Sequence, residues 1–342
     1  MSRRVAILMG GRSSEHEISL ASARSVTATL EAAGHDVVLV EIGRDGAWAL
    51  RAGAAPAELR GERRETLPVP VADDGVLPAL RDVEVVLPIL HGPFGEDGTV
   101  QGLLELADVP YVGAGVAASA VCMDKDLMKA VLRARGIPVT RSVTVREGEP
   151  IDHPFDYPVF VKPARLGSSV GITKVITPEE LEPAVALARQ HDEKVLIEEG
   201  VSGIEIECGV LGNARPIASL PGEIVSHGSS GADWYDYSAK YDEGGMDLIV
   251  PPRVSAEQAR RVQEISVDAF VATECEGMAR VDCFVSDDGE VLVNELNTIP
   301  GFTATSVYAK LFAESGIPYA ELLDRLVELA LERHEQRRQL EY

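Results

Sequence analysis

Cysteine is scarce in this chain: Cys122, Cys208, Cys275 and Cys283 are far apart and form no CxxC pair among 342 residues. That spacing argues against a zinc site, and each thiol, set in an apolar run, reads as a small core residue in a reducing compartment. Long hydrophobic runs are missing too. The apolar part of MSRRVAILMGG is too short for a signal sequence, and nothing approaches the roughly 20 residues of a membrane span. A soluble, cytoplasmic protein without membrane partners is expected. Basic residues are outnumbered, 32 Lys and Arg against 55 Asp and Glu, for a net charge of −23. That balance disfavours nucleic acid or anionic membrane as a general partner. No GxxxxGK[ST] occurs, so there is no Walker A loop. What remains is ordinary globular composition, 45% apolar and 25% charged, in a chain long enough for two or three domains of roughly 100–200 residues.

Against that acidic background, residues 279–302 (ARVDCFVSDDGEVLVNELNTIPGF) carry the most chemistry. Val281, Cys283 and Val285 alternate with Arg280 and Asp282, while Val291 and Val293 lead to Glu295 and Asn297, with SDDG turn residues between. An even-numbered loop puts Arg280, Asp282, Glu295 and Asn297 on one face. A four-residue loop sets Asp282 opposite Glu295 and Arg280 opposite Asn297. Close like charges repel unless a cation lies between them, and an all-oxygen set from Asp, Glu and Asn suits a hard cation such as Mg²⁺. The competing reading is a solvated hairpin face. The constrained exit Thr298-Ile299-Pro300-Gly301 favours the metal.

Taken in order, the chain begins with a parallel α/β pattern. A strand at 5–9 stops at Gly10-Gly11, and a helix to Gly34 follows, with Ser14 and Glu17 spaced as a capping box and Glu15 in its first turn. Strands follow at 37–42 and 83–90, with irregular chain at 51–78. The third strand runs into HGPFGEDG, where His91 becomes a candidate substrate contact at a strand's carboxyl end. Gly113-Ala114-Gly115 only loosely matches a dinucleotide fingerprint. A helix is expected over 118–135, carrying Lys125. Next come a strand ending in Lys162, a Gly-Ser loop ARLGSS, and a second strand at 170–176. Backbone N–H groups in such a loop can cradle phosphate, and a lysine inside an apolar strand costs several kcal/mol without an anion. Residues 226–247 hold Trp234, Tyr235, Tyr237 and Tyr241 and read as a lid, with Lys240 and Tyr241 able to reach a reacting centre. Thr305-Ser306 caps a helix whose free N–H groups suit a carboxylate, and 318–339 is a closing amphipathic helix.

Together the metal hairpin, Lys125, Lys162 and the glycine-serine loop resemble the ATP-grasp superfamily. The segments GGRSSEHEISL, HGPFGEDGTVQG, MDK, KPARLGSSVG, YDYSAKY and ELNTIPGFTATS narrow the resemblance to the D-alanine–D-alanine ligase family, over nearly the whole chain. The resemblance implies a mixed α/β (α+β) fold in three domains: an N-terminal α/β domain at 1–121, a central unit at 122–203 and a C-terminal unit at 204–342, the last two sandwiching ATP. It further implies that Lys125, Lys162, Ser168 and Ser169 hold ATP phosphates, that Glu198, Val201 and Glu205 hold adenine and ribose, and that Lys240 approaches the transferred phosphate. Asp282, Glu295 and Asn297 would ligate two Mg²⁺ ions, Mn²⁺ being able to substitute. Glu15 would bind the ammonium of the first D-alanine in a trio with Ser168 and Tyr241. Arg280 and the Gly301 N–H would form the oxyanion site, and Ser306 with the Val307 N–H would grip the second carboxylate. A homodimer is also implied.

The chemistry expected of such a set is ATP-dependent formation of an acyl phosphate and attack on it by a second amine. A close alternative joins D-alanine to D-lactate or D-serine, and the Lys240-Tyr241 pair favours D-alanine. A nicotinamide-dependent dehydrogenase leaves the hairpin and Lys162 unexplained. A catalytically dead nucleotide-binding regulator ranks last, because no expected position is lost.

Overall fold

The apolar run after the two N-terminal arginines becomes the centre of a sheet because every residue from Val5 to Met9 is fully buried. The computed structural model describes residues 2–51, 80, 82–227 and 245–341. Strand β1 (Arg4–Gly10) pairs in parallel with β2 (Asp36–Ile42) and with β4 (Val85–Pro88), and β3 (Trp48–Arg51) adds an antiparallel edge. Helix α1 (His16–Ala32) connects β1 to β2. Its N-cap is Glu15, not Ser14, and no side chain caps it, so the expected capping box does not form. Instead Ser13 Oγ accepts the Glu15 N–H at 3.3 Å and donates to the His91 carbonyl at 2.6 Å. The Glu15 carboxylate thereby stays available to the site.

Helix α2 (Thr99–Leu106) follows β4. The helix expected over 118–135 is two helices, α3 (Val116–Met123) and α4 (Lys125–Ala134). They break at Asp124, which takes an extended backbone and accepts the Leu127 N–H at 3.1 Å. This cap sets Lys125 at the first position of α4 rather than in mid-helix, where it can reach forward past the helix end. Helices α3 and α4 pack into the core of the third sheet, Cys122, Met128 and Leu132 sharing a cluster with Phe270, Val281 and Val293.

The second sheet is antiparallel, ordered β5-β8-β6-β7, from β5 (Ser142–Val145), β6 (Val159–Pro163), β7 (Thr173–Val175) and β8 (Val195–Glu199), with α5 (Leu181–Ala188) against it. The third runs β12-β11-β9-β13-β14, with β9 (Gly203–Gly212), β11 (Gly222–Ser226), β12 (Met246–Ile249), β13 (Gly277–Ser286) and β14 (Val291–Asn297), and a short β10 (Ile217–Ala218) beside β9. Strands β11 and β12, which sequence periodicity missed, flank the expected lid; residues 228–244, including Lys240 and Tyr241, lie outside those described, as does 52–79 of the irregular stretch. Helix α6 (Ala256–Ala272) is capped by a reciprocal Ser255–Gln258 box.

After β14 the chain forms α7 (Val307–Glu314) and α8 (Tyr319–Arg338). Leu322, Leu323, Leu326 and Val327 of α8 pack with Val5, Ile7 and Met9 of β1 and with Leu211 and Met278 of the third sheet. At about 2 kcal/mol for each fully buried leucine, this closing helix joins the first and third sheets through one core.

Candidate active site

The hairpin of β13 and β14 sets Asp282 opposite Glu295 and Arg280 opposite Asn297. The local reason differs from an even loop. Val285 faces Val291, so five residues, 286–290, intervene, and a bulge then inserts Asn294 between the Val293 and Glu295 pairings. An odd loop alone would turn Asp282 and Glu295 to opposite faces; the bulge restores the parity. The extra residue is used, because the Asn294 Oδ1 accepts from Lys162 Nζ at 3.2 Å.

Arg280 lies over this row, with Nε 2.7 Å from Asp282 and 2.9 Å from Glu207, the β9 neighbour of Asp282. The Asn297 amide donates to Asp282 Oδ2 at 3.0 Å, which leaves the Asn297 carbonyl oxygen facing outward from that bond. On Glu295 sits Lys125, 3.3 Å away, which also donates to the Leu166 carbonyl at 2.8 Å. Cations thus already face each carboxylate of the pair, and the donors are all oxygen. That set fits a hard divalent ion.

Between the second and third sheets opens a cleft of about 890 Å³, lined by Lys125, Lys162, Ser168, Ser169, Val201, Glu205 and Glu295 among others. Its floor holds a buried charge triad. Glu198 takes Lys162 on one oxygen at 2.7 Å and Lys129 on the other, and Lys129 also donates to Thr140. Against the burial that would raise it, the two ammonium groups hold the Glu198 carboxyl down at about 2, while burial lowers fully enclosed Lys129 to about 8. The Glu198 carboxylate is therefore committed to the lysines.

Ser168 and Ser169 both have φ near +55°, a left-handed pair costing about 1–2 kcal/mol each and typical of a loop shaped for a ligand. Ser168 Oγ donates to Glu15, which is 7% exposed. This bond ties the cleft to Glu15, which does not line it and whose charge acts on buried His91, as does that of Arg280. His91 is buried; its Nδ1 faces the Ile299 carbonyl at 3.1 Å and its Nε2 has no hydrogen-bond partner among the described residues. Burial depresses its pKa against the pull of Glu15, so the ring is neutral, with the proton on Nδ1 and a lone pair on Nε2. Ser306 is the N-cap of α7, and its Oγ accepts the Thr303 N–H at 3.0 Å rather than an N–H of the helix. The first-turn amides of α7, starting at Val307, remain open to a carboxylate.

Sequence reasoning missed four charged residues here. Lys129 follows Lys125 by four residues, one helix face, and that spacing could have flagged it. Glu207 alternates with Glu205 in GIEIE, a readable strand signal. Lys174 lines the cleft from β7. Glu96 had no cue of its own within HGPFGED.

Two antiparallel units enclosing a nucleotide-sized cleft, with buried lysines on its floor and facing carboxylates at its inner end, define a ligase of the ATP-grasp class. The family model described as D-ala D-ala ligase N-terminus matches residues 4–114, and that described as D-ala D-ala ligase C-terminus matches 131–328. A D-alanine–D-alanine ligase of Solibacter usitatus is 45% identical across 98% of both chains, and one of Geobacillus thermodenitrificans is 42% identical across 100% of this chain and 99% of its own. Among solved structures, the D-alanine-D-alanine ligase of Coxiella burnetii superposes with a TM-score of 0.86 at 39% identity, covering 99% of this chain and 96% of that one. The VanG D-Ala:D-Ser ligase of Enterococcus faecalis gives 0.84 at 36%, over 96% and 100%. The chain belongs to the D-alanine–D-alanine ligase family.

Proposed function

We propose that this protein joins two D-alanine molecules at the expense of ATP, through an acyl phosphate, to make a peptidoglycan precursor in the cytoplasm. The observation that carries the reading is the Asp282–Glu295 pair, facing across the hairpin beside Lys125 and at the end of the cleft floored by Lys162. ATP occupies that cleft. Lys125, Lys162, Ser168 and Ser169 hold its phosphates, and Val201 and Glu205 face its nucleoside end. Glu198 acts by holding Lys162. Asp282, Glu295 and Asn297 would hold two Mg²⁺ ions, which would supply positive charge to the transferred phosphoryl group. Lys240 and Tyr241, in the lid, complete the set as the family resemblance implies, and a homodimer follows from the same resemblance.

Glu15, bonded by Ser168, binds the ammonium of the first D-alanine, and His91 offers its Nε2 lone pair to the same substrate. The carboxylate is held against the γ-phosphoryl of ATP; a new C–O–P linkage forms and ADP leaves. Ser306 and the Val307 N–H hold the second D-alanine by its carboxylate. Its amine, as the free base, attacks the acyl carbon. Arg280 and the Gly301 N–H stabilise the oxyanion, phosphate departs with the C–O electron pair, and the amine's extra proton is lost to solvent or phosphate. Water would hydrolyse the acyl phosphate, which is the physical reason for a lid.

Phosphate release from ATP, measured with single and paired D-amino and D-hydroxy acids, tests the assignment. D-Alanine alone is expected to give D-alanyl-D-alanine as the main product. A dominant depsipeptide with D-lactate in competition at neutral pH, or a mixed D-alanyl-D-serine product, would move the chain to the neighbouring specificity. A local variant tests the first-substrate site: Gly92 has φ +72°, and a Cβ there would lie 2.8 Å from Glu15 Oε2. Gly92→Ala should displace that carboxylate and raise KM for D-alanine by about tenfold, in keeping with the cost of small misplacements at a reacting centre. An unchanged KM would remove Glu15 from the site.

A further inference from the structure

The two substrate subsites of the proposed reaction sit on different parts of the chain, and one carboxylate ties them together. Glu96, in the loop after β4, accepts the Gly92 N–H on Oε2 at 2.7 Å and the Ile299 N–H on Oε1 at 3.1 Å. His91 holds the other side of the same peptide, donating from Nδ1 to the Ile299 carbonyl at 3.1 Å. Both polar groups of Ile299 are thus bound by the loop that follows β4. Gly92 itself packs against Glu15, and Ser13 bonds the His91 carbonyl, so this loop is registered to the first-substrate site. Ile299 lies two residues before Gly301, at the end of β14 that carries Glu295 and Asn297.

We propose that Glu96 is a positioning residue for ligation, acting through the Ile299 peptide to hold the Gly301 oxyanion donor at a fixed distance from the Glu15 subsite. This deepens the reading above and rests on it. A bridge between two N–H donors requires an acceptor on each side, which a carboxylate supplies and an amide does not. The environment also opposes a free charge here, since burial and neighbouring Glu15 push the Glu96 carboxyl up to about 8 despite the two N–H bonds and Arg280. A carboxyl kept in such surroundings, spanning two segments of distant sequence, is held there by the two acceptor oxygens it offers the Gly92 and Ile299 N–H groups.

The role separates two half-reactions. Acyl phosphate formation needs Glu15, the lysines and ATP; the attack of the second amine also needs Gly301 in place. Full-length protein is assayed for positional exchange of ¹⁸O between the bridging and non-bridging positions of the ATP β,γ-linkage, in the presence of D-alanine, and for dipeptide formation. In Glu96→Gln the side-chain amide meets one of the two N–H donors with its own N–H. Ligation is expected to fall about 30-fold while exchange changes less than about threefold, so their ratio rises about tenfold. Glu96→Asp keeps a carboxyl and both acceptor oxygens on a shorter arm, and its ratio should fall between wild type and Gln. Parallel loss of both activities, or undiminished ligation, in these variants overturns the proposal; if the Gln variant does not fold, the Asp variant is read by the same criterion. Absence of D-alanine-dependent exchange and ligation in the unmodified protein would instead overturn the ligase reading itself.

Discussion

Glu295→Gln should lower kcat by about 10³-fold while the protein still folds. Removing a single preorganised electrostatic contact at a transition state costs on the order of 10²–10³, and a group that also holds a divalent ion belongs at the upper end. The substitution keeps the side chain's shape and one oxygen but removes the charge that faces Lys125 at 3.3 Å and lies across from Asp282. The pair is mostly enclosed, Lys125 being 7% and Glu295 18% exposed, so some stability is lost with the charge, although Lys125 retains the Leu166 carbonyl. The loss of turnover is therefore read on protein shown by melting to be folded. The check is turnover against magnesium concentration, with thermal melting alongside. A variant with near-normal rate and an unaltered magnesium dependence would remove Glu295 from the metal set.

The facing of Asp282 and Glu295 was legible in the sequence, though for a partly wrong reason. Alternation placed Asp282 and Glu295 on one face, and they are cross-strand partners; yet the loop is odd, and only the bulge at Asn294 makes the parity work. Bulges depend on backbone geometry that a period-2 pattern does not encode. The same limit explains α1, where Ser14 and Glu17 have capping-box spacing but Ser13 turns to the His91 carbonyl 78 residues away. Local signals compete with distant partners that only folding supplies. Asp124 is the converse: it ends α3 and starts α4 by a cap that a reader of helical periodicity passes over, and Lys194 holds it from β8's threshold at 2.8 Å. Lys162, a charge inside an apolar strand, was readable as a residue in need of an anion, but its partner in the fold, Glu198, was not. Glu198, which the resemblance places at adenine and ribose, is in this fold the counter-ion of two lysines. Strands β11 and β12 are short, and β12 begins inside a stretch, 226–247, that has no periodicity in the sequence, so neither presents enough alternation to be seen.

Glu198→Gln should destabilise the protein by about 3–5 kcal/mol at neutral pH, the typical cost of leaving a buried charge without its partner. For a chain of this size that is a drop in melting temperature of roughly 10 °C. The structural cause is a carboxylate with one lysine on each oxygen: without its charge, Lys129, which is 0% exposed, and Lys162, which is 5% exposed, have only neutral acceptors among these groups, the Gln carbonyl oxygen, Thr140 and Asn294. The deficit has a pH signature of determinable sign. In the native protein Glu198 titrates at about 2, below its ordinary value, so its contribution is present above pH 4.5 and disappears as pH falls toward 2. Lys129 behaves oppositely. Burial already brings it from 10.5 to about 8, and loss of Glu198, which pulls it upward, lowers it further. Between that lowered value and 10.5 the unfolded chain binds the proton that the folded chain has shed, so folding stability rises with pH. The gap between variant and native protein should therefore narrow from pH 7 to pH 9, as two opposed ammonium groups become one. Denaturant unfolding of both proteins at those two pH values measures it. A gap below about 1 kcal/mol, or one that stays constant with pH, would mean that the triad does not form the floor of the nucleotide cleft, and the position of Lys162 beneath the phosphates would then lack its support.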